Sequence, residues 1–475
     1  MRRFFSIVLV CAAAVAIVAA QSLPIGNALK QFIKVNAPVV ALTHVRVIDG
    51  TGAPARADQT VVIKDGAIAA VGPSASTPPP DGATVIDGTG KSVMPGIVMV
   101  HEHLYYPTGA NPGIYGTFGV SFLRLYLAGG VTTMRTGGNL DGFLDLNLKQ
   151  RAERGEIAGP AIDATAPYLN GPNPFLQMYA LKDEADARRH VNYWADAGAT
   201  SFKAYMQITR AELGAAVEEA HKRKLKITGH LCSVTYAEAA ALGIDNLEHG
   251  FAAATDFVAG KQPDTCPGQG QGQNTIAALD PNGAPFKTLV KTLIDRNVAL
   301  TSTLTVFETF TPRRPMPPGM DVFVPQLRDP FVERQKQLAS SESQGGYATL
   351  FPKLMALELA FARAGGMLIA GTDPTGGGGV VPGYSNQRQL ELLVEAGFTP
   401  VEAIRIGTLN GARYLGRDAR VGSIAAGKQA DLVLVTGDPS TTIADVRNVD
   451  TVFRQGVGFD PSALIKSVAG RVGLW

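Results

Sequence analysis

Residues 226–250 read KITGHLCSVTYAEAAALGIDNLEHG. Two short runs, KITGHL and NLEHG, have the length and flanking turns of strands, and each carries a histidine, His230 and His249, at its C-terminal end. Between them residues 235–242 have a helical, alanine-rich pattern opened by Thr235. Strand, helix and strand in this order predict a βα unit with parallel strands, and both imidazoles fall on the same rim of the sheet.

The same alternation extends in both directions. GIVMVHEHL, GVTTMRTGG, AIDATAPYL and SFKAYM precede this unit, and VALTSTLTVF and MLIAGTDP follow it, with helical patterns such as 184–197 and 210–223 between strands. Eight strands separated by helices predict an α/β fold, a (β/α)8 TIM barrel over residues 95–416. A doubly wound open sheet is the rival, but no glycine-rich dinucleotide fingerprint follows the first strand. Residues 21–94 and 417–475 are different: VVALTHVRVIDGTG, TVVIKDGAIAAVG and ADLVLVTGDP are short strands with Gly turns, and Asp65-Gly66 is a hairpin signal. A small β-sandwich domain built from both termini is expected, two separate hairpins being the alternative. Two insertions, residues 252–285 and 311–329, follow barrel strands and should lie over the C-terminal mouth.

With 475 residues, of which 45% are hydrophobic, there is ample core for these domains, and a net charge of +2 with mixed signs offers no footprint for nucleic acid. Arg2 and Arg3 precede an apolar run that ends in Val18-Ala19-Ala20, which predicts a secretory signal peptide over residues 1–20. The expected location is secreted or periplasmic, with no stable membrane association after cleavage; an uncleaved anchor is the alternative. Removing the signal leaves Cys232 and Cys266, in loops on one rim of the barrel, so a disulfide between them is geometrically reasonable in an oxidising compartment. Two free thiols or a metal contact are the other readings. A homo-oligomer is left open.

The chemistry lies at the strand ends. Four of the seven histidines, His101, His103, His230 and His249, sit there, and Asp373 closes the last strand. Residues two apart in a strand share a face, so His101 and His103 point together, as do Lys203 and Tyr205. Neutral imidazoles with a carboxylate suit a divalent ion, zinc first among them. Lys203, in an apolar strand, costs desolvation unless it meets an acidic neighbour or is carboxylated to an anionic N6-carboxylysine. Two dications held by histidines need such a charge. Tyr105, Tyr106 and Arg135 are candidates for contact with a small-molecule substrate, although an arginine at such a strand end more commonly serves a structural ion pair. His44, His190 and His221 read as structural or solvated.

The ordered set HxH, Lys, His, His and Asp on strands one, four, five, six and eight resembles the amidohydrolase superfamily in its binuclear, carboxylated-lysine form. The 226–250 segment is similar to the imidazolonepropionase-like and Xaa-Pro dipeptidase-like branch. GATSFKAYM resembles the lysine strand of hydantoinases and dihydroorotases, and TLNGARYLGRDARVGSIAAGKQADLVLV resembles the C-terminal segment these enzymes share. The resemblance implies one ion held by His101, His103 and Asp373 and another by His230 and His249, with carboxylated Lys203 and a hydroxide bridging them. Asp373 would then serve as proton shuttle, and Tyr205 as donor to the developing oxyanion. The implied reaction is hydrolysis of an amide C–N bond in a peptide-like or N-acyl amino acid substrate. A lactone or organophosphate ester is the second enzymatic reading, and a non-catalytic extracytoplasmic metal-binding protein is the third.

Overall fold

The computed structural model describes residues 22–108, 114–174, 177–340 and 346–474. The signal segment expected at 1–20 lies outside them. Among the described residues no helix is long and apolar enough to cross a membrane.

Eight parallel strands carry the site: Ile97–Glu102, Val131–Thr136, Ala161–Asp163, Ser201–Ala204, Lys226–Gly229, Asn246–Glu248, Ala299–Ser302 and Leu368–Ala370. They coincide with the eight runs read from the sequence. Almost every residue in them is buried, as parallel strands covered on both faces require. Hydrogen bonding divides them into a three-stranded and a five-stranded sheet rather than one continuous ladder. The third and fourth strands are linked by an isolated parallel bridge between Thr165 and Ser201. Across the other seam the amides of Thr372 and Asp373 both donate to the His101 carbonyl at 3.1 Å. The architecture is thus TIM-barrel-like α/β. That second seam also brings the last-strand carboxylate to the first-strand histidines.

Helix starts follow local rules. Thr209 with Glu212, and Thr235 with Glu238, form reciprocal capping boxes at the helices Arg210–Lys222 and Tyr236–Leu242. The second of these helices ends at Gly243, whose φ of 94° is the left-handed conformation that glycine accepts at a C-terminus.

Both terminal segments contribute to one nine-stranded sheet. Leu432–Thr436 runs antiparallel to Lys91–Pro95, with Leu434 opposite Val93, and this pairing joins the two ends of the chain. Val40, Leu42, Val61, Ile63, Leu432 and Phe453 share a separate core there. Hydrogen bonds run through all these strands as a single sheet, so the two termini form one unit and not two separate hairpins. Which strand edges meet across some 340 residues is a tertiary matter that alternation cannot reveal.

Candidate metal centre and substrate cavity

At the C-terminal ends of the strands, one ligand atom each from His101, His103 and Asp373 lie within 4.8 Å of one another. Asp373 Oδ1 is 3.1 Å from His103 Nε2 and 3.6 Å from His101 Nε2, whereas its Oδ2 faces His249, 3.7 Å from Nδ1. The rings of His230 and His249 are 4.3 Å apart, and that of His249 is 4.6 Å from His101. Lys203 Nζ lies 3.1 Å from His101 Nε2. All six residues expected as ligands therefore converge on one spot.

Two features give up backbone comfort for this arrangement. His249 and Asp373 both have positive φ, 68° and 55°, which is costly for residues with a Cβ and is characteristic of functional strand ends. A Cβ at Gly137 or Gly371 would come within 2.4 Å of His101, so the histidine fits only because both neighbours lack one.

Hydrogen bonds orient the imidazoles. His103 Nδ1 donates to the Gly138 carbonyl at 3.0 Å, which leaves its Nε2 lone pair towards Asp373. His101 Nδ1 donates to Glu248 Oε2 at 2.6 Å, directing Nε2 to Lys203 and Asp373. His249 pairs Nδ1 with the Thr303 hydroxyl at 2.9 Å, and its buried Nε2 has no hydrogen-bond partner. Burial moves His103 down to about 4 and His230 to about 3, keeping both imidazoles in the neutral, ligating form. Burial also lowers the Lys203 amine to about 8. A divalent ion fits this donor set: lone pairs and a carboxylate converge, and one imidazole nitrogen is buried without a partner.

Glu248 carries no signal in the sequence beyond its place beside His249, yet it anchors the centre. Burial alone would raise its carboxyl; His101, Lys203 and Arg135 together hold it well below the usual range. Arg135 is the partner on the far side. It is fully buried and donates to Glu248 Oε1, Ser201 Oγ, Thr228 Oγ1 and the Val100 carbonyl. The proposed substrate contact is therefore corrected: Arg135 is the structural ion pair that orients Glu248, and it does not line the cavity.

These side chains open onto a cavity of about 460 Å³. Tyr105, Tyr115, Tyr168 and Tyr205 line one side of it, the hydroxyls of Tyr105 and Tyr168 bonding to each other. Tyr106 does not line it. It stacks on Phe323 at 4.6 Å, and its hydroxyl accepts from the Gly379 amide. Tyr105 and Tyr106 are successive residues of the strand Tyr105–Pro107, so period-two alternation sends them to opposite faces.

Cys232 and Cys266 are joined in a disulfide with Cα atoms 4.8 Å apart. It ties the 252–285 insertion to the loop after His230, and Cys232, Pro267 and Gly268 form part of the cavity wall. Replacing both cysteines by serine should raise KM several-fold while leaving bound metal unchanged, measured by steady-state kinetics beside elemental analysis. Loss of metal on reduction would show instead that the bridge supports the ligands.

Histidines and a carboxylate gathered at the strand ends of a TIM-barrel-like domain define a metal-dependent enzyme. Residues 92–458 match the model of the Amidohydrolase family, and the chain belongs to that family. It is a hydrolase acting on C–N bonds, in a metal-dependent family, with a small molecule as substrate. Among solved structures, a Bifidobacterium longum protein assigned as a prolidase is similar at 25% identity, covering 90% of this chain and 98% of its own, with a TM-score of 0.66. A Xaa-Pro dipeptidase with bound methionine in its active site shares 18% identity over 89% of this chain and 100% of its own, TM-score 0.66. Phenylurea hydrolase B shares 21% over 90% and 98%, TM-score 0.66. No curated protein matches the sequence.

Proposed function

We propose that the chain is an extracytoplasmic, binuclear metal-dependent amidohydrolase that cleaves a C–N amide bond in a peptide-like or N-acyl amino acid substrate. The observation that carries this reading is the position of Lys203 Nζ, 3.1 Å from His101 Nε2, close enough to Asp373, His230 and His249 for their charges to act on one another. A cation there would repel bound ions. Addition of the amine nitrogen to the carbon of carbon dioxide, with loss of a proton, turns it into an anionic oxygen ligand that two ions can share. His101, His103 and Asp373 would hold one ion, His230 and His249 the other, zinc being favoured by the donor set. The two strand sheets are read as parts of a single closed (β/α)8 ring, with the seams at Thr165–Ser201 and at His101.

Bound divalent ions supply a water pKa lowered towards neutrality and polarisation of the substrate carbonyl. The chain's own residues do the rest. Asp373 has one carboxylate oxygen towards His101 and His103 and the other towards His249. It is placed to take the proton of the attacking water and return it to the leaving nitrogen. Tyr205, on the cavity wall beside His230, is placed to donate to the oxyanion. The aromatic walls, in which Tyr105 and Tyr168 are buried, limit bulk water around the reacting carbonyl.

Residues 1–20 are proposed as a cleaved signal, and an oxidising compartment agrees with the Cys232–Cys266 disulfide. Elemental analysis of the full protein, expected to return about two divalent ions per chain, tests the centre. Lys203→Met should lower that number to about one or fewer and remove turnover. Two ions retained by this variant would exclude the carbamate bridge.

A further inference from the structure

Arg334, on the helix Pro325–Ser340, takes no part in the metal centre. It is half-buried, with its guanidinium over the rings of Phe310 and Phe331 at 5.6 and 5.1 Å. Nε and Nη2 are enclosed and make no hydrogen bond, and among the described residues no carboxylate pairs with it. Burial lowers its pKa, the Tyr106 phenol acting the other way. Other arginines of this region are matched by acids: Arg314 pairs with Glu308 and Glu395, Arg388 with Glu308 and Glu391, and Arg328 with Asp329. An enclosed guanidinium without an anion costs free energy, so its retention calls for a partner that comes with a ligand.

The packing holds this guanidinium at the cavity edge. Phe310, Thr375 and Gly376 line the cavity. The next residue, Gly377, lies against Arg334, and a Cβ there would fall 1.4 Å from Nη1. Phe331 and Arg334 are three residues apart and share a helix face. Phe331 meets Gly379 in the same manner, a Cβ at Gly379 falling 2.1 Å from its ring. Between cavity and guanidinium there is thus the Phe310 ring and glycine backbone, with no side chain on the run Gly376–Gly379 to bar the way. Gln335 donates to the Thr309 carbonyl and ties the helix to the segment that carries Phe307 and Phe310. Ring contacts run from His249 to Phe307 at 6.1 Å, to Tyr347 at 6.2 Å, to Phe310 at 5.2 Å, and only then to Arg334. Arg334 therefore stands at the end of this wall away from the ligands.

Resting on the amide-hydrolase reading above, we infer that Arg334 is a specificity residue: the substrate carries a carboxylate remote from the scissile bond, and Arg334 binds it at the Gly376–Gly377 edge. The planar guanidinium offers a carboxylate two parallel N–H donors, and partial enclosure strengthens such a pair. Four successive glycines let the backbone at this edge adjust to admit the anion. A carboxylate next to the scissile bond is a separate group, held near the ligands and beyond the reach of Arg334.

The test uses the zinc-loaded full chain and two pairs of N-acyl amino acids. N-acetylglutamate and N-acetylglutamine share the scissile amide and the α-carboxylate, and differ in the remote group of the amine half. N-glutarylphenylalanine and its terminal carboxamide place the same difference on the acyl half. In at least one pair kcat/KM for the acid should exceed that for the carboxamide by about tenfold or more, chiefly through KM. Arg334→Gln should reduce this preference to about twofold or less, and Arg334→Lys should keep part of it, a graded response that a merely structural arginine would not give. No preference for the acid in either pair overturns the inference on the unmodified chain alone, and so does a preference that Arg334→Gln leaves in place. If none of the four compounds is cleaved, the amide-hydrolase reading fails and calorimetric titration decides the inference by itself. Tighter binding of an acid, lost in Arg334→Gln, would then support it, and equal or absent binding would overturn it.

Discussion

Asp373→Asn is expected to reduce kcat by about a thousandfold or more, the range associated with losing a positioned general base, or about 4 kcal/mol of barrier. The amide is nearly isosteric, so the fold should survive, with an unchanged circular dichroism spectrum. It cannot accept a proton at neutral pH, however, and it ligates a divalent ion more weakly than a carboxylate. The side chain sits between two groups of imidazoles, Oδ1 towards His101 and His103 and Oδ2 towards His249. No other described carboxylate joins the ligand cluster. Activity retained within tenfold at normal metal content would show that another group moves the proton.

Arg135→Met is the second large effect, and it falls on stability. The guanidinium is completely buried and serves five acceptors on four other strands of the domain. Methionine matches its length but leaves Glu248 as a buried carboxylate without the guanidinium it is bonded to. Breaking a buried pair from one side costs roughly 3–5 kcal/mol, because the remaining charge has lost its partner. A denaturant titration should show this as a lower midpoint at similar slope. Glu248→Gln added to Arg135→Met should recover part of the loss, since the orphaned charge is then gone. It should also weaken metal binding, because His101 then meets a neutral amide in place of the carboxylate that orients it and raises its basicity. A change below about 1 kcal/mol in the single variant would mean that the network is solvated or relaxes freely.

The parts of the centre that were legible share one property: their geometry is local. His101 and His103 are two residues apart in a strand, so pleating alone puts them on one face. His230 and His249 each end a strand, and the capping box at Thr235 sets the helix between them. Lys203 stands out because an amine in an apolar strand needs a chemical reason. The same alternation should have separated Tyr105 from Tyr106, and only the first reaches the cavity.

Where a side chain's role depends on partners from distant strands, pattern leaves alternatives open. For Arg135 it offered a structural ion pair or a substrate contact without naming a partner, because Ser201, Thr228 and Glu248 are 66, 93 and 113 residues away. Glu248 was invisible beside a histidine that drew the reading to itself. The single terminal sheet depended on the pairing of Lys91–Pro95 with Leu432–Thr436. Sequence alone determined the eight strands of the βα alternation and the candidate side chains at their ends, because each follows from period, spacing and side-chain chemistry along a few residues; the reaction class came with the resemblance those motifs carry. The tertiary structure decided the hydrogen bonds that orient the imidazoles, the tyrosine and phenylalanine lining of the cavity, and the interior role of Arg135. These depend on which remote segments meet, and long-range contacts leave no local periodicity to read.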